Sequence, residues 1–249
     1  MDKERYVFIV YMISLLLTLF IAALDIVIVV TLYETIGIKF NDFGNVSWLV
    51  TGYDLSNAIF MLSWGRVASL IGVKESLLIS IIIFEVGSLI SALSNSLGVL
   101  IGGRVIAGFG GSGIESLVFV AGTSYVEEKY RGLTTSLLAL SYVIAEGSGP
   151  FIGGLLTEKV SWRWCFYINL PIGAAAFVIL LLCSDSFQLA SRGRCQTFWR
   201  VVRKYNYGKL LKSTYWKQIG ITIVCELDIL GILLSSSGFT LLMLGLSFG

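Results

Sequence analysis

Histidine is absent from this 249-residue chain. That removes imidazole bases, histidine metal ligands and histidine relays, so any proton chemistry falls to carboxylates. Charge is scarce too: 14% of residues are Asp, Glu, Lys or Arg, against roughly 25% in soluble domains. With 56% hydrophobic residues, the deficit is too large for a soluble core, and the composition is that of an integral membrane protein. A net charge of only +2 makes no case for nucleic acid. The four cysteines, Cys165, Cys183, Cys195 and Cys225, show no CxxC spacing and no disulfide framework. There is no metal-ligand cluster and no phosphate-binding loop followed by Lys and Ser/Thr, so no enzyme reading competes and no cofactor is expected. Gly108, Gly110 and Gly113 have GxGxxG spacing, but inside an apolar span rather than after a strand.

What the chain has is long hydrophobic runs. A bilayer-crossing helix needs about 20 mostly apolar residues. Seven runs qualify: about 7–31, 46–64, 76–94, 97–121, 133–156, 164–184 and 229–248. The first is too long for a signal-peptide core and ends on no small-residue cleavage site, so it is expected to remain as a transmembrane helix. The expected fold is all-α and polytopic. Residues 1–184 form a six-helix bundle, 185–217 a basic cytoplasmic loop, and 218–249 carry a seventh helix. Phe198, Trp199, Tyr205, Tyr207, Tyr215 and Trp216 make the 185–217 segment either a linker with interfacial aromatics or a surface helix on anionic lipid.

Lys and Arg placement sets the expected orientation. Lys39, Lys159 and Arg163 fall on one side. The N-terminus, Arg66, Lys74, Lys129, Arg131 and the basic 185–217 segment fall on the other. The N-terminus is therefore expected in the cytoplasm and the C-terminus outside. This weighs against a G-protein-coupled receptor, whose N-terminus is outside. A retinal protein needs a lysine in its last helix, and 229–249 has none.

Within the fifth run, Glu146 is followed by Gly147, Ser148, Gly149, Pro150, Phe151, Ile152, Gly153 and Gly154. In water such a stretch would be a loop. In a bilayer, neighbouring helices re-satisfy the backbone groups that Gly and Pro free, and small residues let helices approach closely. The run is expected to be a tightly packed, kinked membrane helix. Glu146, Pro150 and Gly153 share a face at 3.6-residue spacing, which would aim the carboxylate along the close-packing side.

Ionisable groups inside a membrane cost about 2.5–3.5 kcal/mol each on insertion scales and default to functional hypotheses. Each of the first five spans holds at least one: Asp25, Asp54, Glu85, Arg104 with Glu115, and Glu146. Arg104 and Glu115 share a face but stand about 16 Å apart along a helix axis. Each needs a partner elsewhere, and Asp25 is the natural one for Arg104. The plainer readings are a structural ion pair for Arg104, a polar neighbour for Glu85, and hydrogen bonds to nearby Tyr or Asn for Asp54. Asp25, Glu115 and Glu146 are the stronger functional candidates, since a carboxyl in an apolar site can carry a proton near neutral pH or attract a lipophilic cation.

Together these segments resemble the major facilitator superfamily, and within it the fourteen-span drug:proton antiporters of fungi. Leu24 to Val29 looks like the family's acidic first-span motif, and Trp48 to Leu55 like the start of its second span. Leu100 to Gly110 resembles the fourth-span motif, whose arginine is implicated in proton coupling. Gly147 to Gly154 resembles the antiporter motif of the fifth span, and Trp162 to Gly173 a signature of the fourteen-span group. The resemblance covers essentially the whole chain. It implies proton coupling through Asp25 and Arg104, with Glu115, Glu146 and Asp54 as substrate or proton groups. It also implies an antiporter motif at Gly147, Gly149, Pro150, Gly153 and Gly154, and a cytoplasmic loop motif at Gly65, Arg66, Gly72 and Lys74. That loop departs from the pattern at Ser69, Leu70 and Val73, which puts its charge relay in doubt.

The implied function is export of amphipathic cationic drugs or dyes in exchange for protons at the plasma membrane. The alternatives are import of basic amino acids at the vacuolar membrane, or a membrane fragment that does not transport. The family rocks one bundle against another, so the chain is expected to be the N-terminal half of a truncated reading frame, or to join a second half-transporter or another copy. Gly231, Gly238 and Gly245 form a small-residue stripe on the seventh run that would seek a partner helix.

Overall fold

The computed structural model describes residues 2–124 and 126–183, together with positions 231, 234, 237, 238 and 241. The basic 185–217 segment lies outside the described residues. So does most of the seventh span, although Gly231 and Gly238 are helical.

Among the described residues, all regular structure is helical: α1 (Asp2–Thr31), α2 (Tyr33–Phe40), α3 (Phe43–Val46), α4 (Trp48–Ile71), α5 (Val73–Leu93), α6 (Leu97–Ser124), a 3-10 turn (Glu128–Tyr130), α7 (Arg131–Lys159), α8 (Trp164–Tyr167) and α9 (Asn169–Cys183). Four stretches are both long and apolar enough to cross a membrane on composition alone: Tyr6–Thr31, Val73–Leu93, Leu97–Ser124 and Trp164–Cys183. The remaining long helices, α4 and α7, have 24 and 29 residues. They exceed the length a span requires but are more polar, carrying Asp54, Asn57 and Arg66, and Glu146, Glu158 and Lys159.

Between the first two long helices the chain forms α2 and α3. Asn41 ends α2 in the left-handed region, at φ 51°, and the Asp42 carboxylate caps α3 by accepting from Asn45 N–H at 3.2 Å. The stretch from Gly65 to Lys74 is not an extended loop. Gly65 and Arg66 lie inside α4, Lys74 lies in the first turn of α5, and the whole reversal falls on Gly72 at φ 112°, ψ 150°. Side chains rarely tolerate that conformation, which is why glycine stands there.

Pairing among the helices follows a two-fold logic. α6 packs against α4 and α5, α1 packs in the same way against α7 and α9, α1 meets α6, and α5 meets α9. Exchanging α1 with α6, α4 with α7 and α5 with α9 preserves these contacts, as two three-helix repeats require. Small residues make the seams. A methyl added at Gly110 would strike backbone of α5 at Phe84 and Ser80, and one at Gly108 would come within 2.5 Å of the Tyr53 carbonyl on α4. Between such seams lie two apolar clusters, one around Leu15, Leu19, Phe84 and Leu117 and one around Leu24, Ile28, Leu49 and Phe166. Outside, large apolar side chains face away from the protein, among them Phe151 at 75% exposure and Leu182 at 69%. A water-soluble surface would not carry so many, so this surface suits lipid.

Candidate functional site

Five helices deliver polar groups to one buried point. Asp25 on α1 and Arg104 on α6 are almost completely enclosed, at 0% and 1% exposure. Arg104 Nη1 donates to Asp25 Oδ2, and Arg104 Nε donates to the Leu49 carbonyl of α4 at 3.4 Å. The guanidinium stacks over the Tyr53 ring, 4.2 Å from its centroid. On the other side, Asn169 Nδ2 of α9 donates to Asp25 Oδ1 at 2.8 Å and reaches Ser88 Oγ of α5 at 3.4 Å. Both Asp25 oxygens thus have a donor, which offsets the cost of burying them. The pairing expected between Asp25 and Arg104 is present. Not every group here is satisfied: Tyr53 Oη, Asn169 Oδ1 and both Glu85 oxygens are buried without a hydrogen-bond partner.

A second set of acids lies between α4, α6 and α7. Glu115 Oε1 accepts from Asn57 Nδ2 of α4 at 3.1 Å. Asp54 lies one turn before Asn57 on the same face, within electrostatic reach of Glu115. Tyr142 on α7 is within electrostatic reach of Glu115, Glu146 and Asp54 together. Next to this set is an aromatic wall. Phe60 and Phe109 meet edge to face with centroids 4.5 Å apart. Trp64 lies 5.4 Å from Phe109 and donates its indole N–H to the Phe109 carbonyl at 3.0 Å. Asn57, Phe60 and Trp64 share one face of α4 at helical spacing, so carboxylates and aromatic rings come together.

The glycine-rich run behaves differently from the sequence expectation in one respect. α7 continues through Pro150 as one helix to Lys159. Gly149 and Gly153 are buried against α1, where a methyl at Gly149 would come within 2.9 Å of Val27 and one at Gly153 would strike Thr31 Oγ1. Glu146, Gly147, Pro150 and Gly154 are exposed, and added methyls at Gly147 and Gly154 would touch nothing. Glu146 is exposed all the same, although at 100° per residue it stands only about 20° from Gly153 and about 60° from Gly149 around the helix. Sequence reasoning passed over Tyr53, Asn57, Tyr142 and Asn169 as partners. Tyr53 and Asn169 both lie inside quoted motifs, and that was the only signal available for them.

Six long helices in two exchangeable triplets, an apolar belt outside and buried charge inside define a polytopic membrane bundle. The sequence match agrees: residues 15–249 fit the family model described as Major Facilitator Superfamily, and the chain belongs to that family. Protein SGE1 of Saccharomyces cerevisiae is 65% identical over 237 residues, covering 95% of this chain and 44% of that protein. Azole resistance protein 1 of the same yeast is 45% identical over 97% of this chain and 42% of its own length. Vacuolar basic amino acid transporter 5, also of that yeast, is 44% identical over 95% of this chain and 40% of its own. The chain thus spans less than half the length of these relatives. Among solved structures, the proton:xylose symporter XylE superposes with a TM-score of 0.63 at 16% identity, over 90% of this chain and 54% of that one. The human organic anion transporter MFSD10 gives 0.56 at 18% identity, over 71% and 46%. At such identities these two speak for the fold alone.

Proposed function

We propose that this bundle is the N-terminal, proton- and substrate-handling part of a proton-coupled antiporter that exports amphipathic cationic drugs or dyes. The observation that carries the reading is the pairing of two sites in one bundle. Asp25 and Arg104 form a buried, charge-balanced lock, and Asp54, Glu115 and Glu146 lie within electrostatic reach of Tyr142, with an aromatic wall beside Asn57. A lipophilic cation needs negative charge and apolar surface at once, and ring faces add attraction of their own. Protonation of Asp25 would release Arg104, and loss of carboxylate charge in the second set would release a bound cation. Exchange follows if one ligand is bound when the other has left. The membrane is the plasma membrane in this reading, with the N-terminus in the cytoplasm as the Lys and Arg distribution favours.

The test is a chimera in which these 249 residues replace the matching N-terminal part of Protein SGE1. Reconstituted in liposomes, it should move a cationic dye when a pH gradient is applied. Absence of gradient-dependent movement, with the chimera correctly inserted, would refute the antiport reading.

A second reading is vacuolar uptake of basic amino acids. It is favoured by the similarity to Vacuolar basic amino acid transporter 5 and by carboxylates that suit guanidinium or ammonium groups equally well. A fluorescent fusion separates the two: plasma-membrane signal supports export, and a vacuolar rim supports uptake.

A further inference from the structure

Glu85 bonds to no member of either site described above, and among the described residues it is the acid with both carboxyl oxygens buried and unpartnered. It lies on α5 facing α9, and both its oxygens are buried without a donor. Its space is supplied by a glycine: a methyl at Gly173 would collide with Glu85 Oε1. Ser88 lies one turn from Glu85, and Asn169 one turn from Gly173. Glu85 therefore occupies the same α5–α9 seam as the amide that holds Asp25. Asn169 Oδ1, which also lacks a partner, provides an acceptor on that seam.

Charge accounting then decides the form of the acid. Arg104 is already matched by Asp25. From the helices that pack on α5, α6 brings Arg104 and Glu115, α4 brings Tyr53, Asp54 and Arg66, α8 brings Cys165 and Tyr167, and α9 brings Cys183. None of these groups donates to Glu85, and the Asp25 charge is offset by Arg104. An ionised Glu85 would thus be a buried anion with no donor to offset its desolvation. A neutral carboxylic acid avoids that cost.

We propose that Glu85 is a second proton-binding site of the bundle, set on the α5–α9 seam beside Gly173. Its place in transport rests on the antiport reading, in which the bundle would then bind two protons rather than one. Release breaks the carboxyl O–H bond, leaves the electron pair on Glu85 and passes the proton to water. Uptake is the reverse.

Infrared spectra of the purified full chain in lipid nanodiscs test this. A protonated-carboxyl C=O band that moves in D2O should be present in the wild type and missing in Glu85→Gln; equal bands in the two overturn the proposal. Should Glu85→Gln not yield folded protein, Gly173→Ala serves. Its methyl presses on the carboxyl and should displace the band, and an unmoved band overturns the assignment. None of these spectra needs transport. A titrating Glu85 in a chimera that moves no dye would sink the antiport reading while leaving this site standing.

Discussion

Arg104 is the bulkiest of the fully buried side chains, and its surroundings explain how a guanidinium is kept there. One edge donates to Asp25, Nε donates to Leu49, and its face lies on Tyr53. Removing one member of such a pair leaves the other buried and uncompensated, at a cost of about 3–5 kcal/mol. Arg104→Ala should therefore lower the unfolding temperature of the purified protein sharply. The double variant Arg104→Gln with Asp25→Asn, which leaves no net charge, should recover part of the loss in the same melt. At the second site the effect should be on function instead. Glu115→Gln removes a charge yet keeps a group that can bond Asn57, and Glu146→Gln changes an exposed position. Both should fold normally and lose dye export in the SGE1 chimera. Undiminished efflux in either would remove that residue from the proposed mechanism.

Helices in this bundle are spaced by what their seams lack. α7 offers a controlled comparison, because Gly153 is buried against α1 while the adjacent Gly154 faces open space. Gly153→Ala should cost about 1–3 kcal/mol, the usual penalty of overpacking a tight interface. Gly154→Ala should be neutral, or gain up to about 1 kcal/mol from better helix propensity. Equal melting temperatures for the two variants would mean that α1 and α7 do not pack as described. A different device holds the end of α5. Arg163 donates to the carbonyls of Ala92 at 3.0 Å and Ser94 at 2.7 Å and stacks 4.9 Å from the Trp162 ring. Lys39 lies over the same ring at 5.2 Å. The last carbonyls of a helix lack partners within it, and a cation is the favoured cap there. Arg163→Ala should expose that end to fraying, seen as faster amide exchange at Ala92 to Asn95 with the remainder of α5 unchanged.

For the molecule as a whole, orientation is the property to measure. In a background with the four cysteines replaced by serine, a cysteine at the exposed Glu158 should react with a membrane-impermeant reagent in intact cells. One at the exposed Glu128 should react only after permeabilisation. The opposite result would invert the bundle and with it the direction of transport.

Much of this architecture was legible in advance, because helix formation and membrane burial are local. A run of about 20 apolar residues must satisfy its own backbone in lipid, so the positions of the spans follow from composition alone. Each of the six runs within the described residues falls on helix, and four of those helices are long and apolar enough to cross a membrane. Less local features were read less well. The length of α4 past residue 64 and the folding of 33–46 into two short helices depend on how polar residues meet the bilayer edge, which hydropathy does not resolve. That Asp25 needs Arg104 could be argued from charge, since neither tolerates lipid alone. That Asn169 and Tyr53 complete the pair, that Glu115 takes Asn57, that Glu146 stays exposed beside the buried glycines, and that Gly173 makes room for Glu85 could not. The sequence by itself determined the family, the helices and the ionisable groups that must find partners. Only the tertiary structure decided which partners they find, because that depends on the rotation and spacing of helices set by small-residue contacts far apart in the chain.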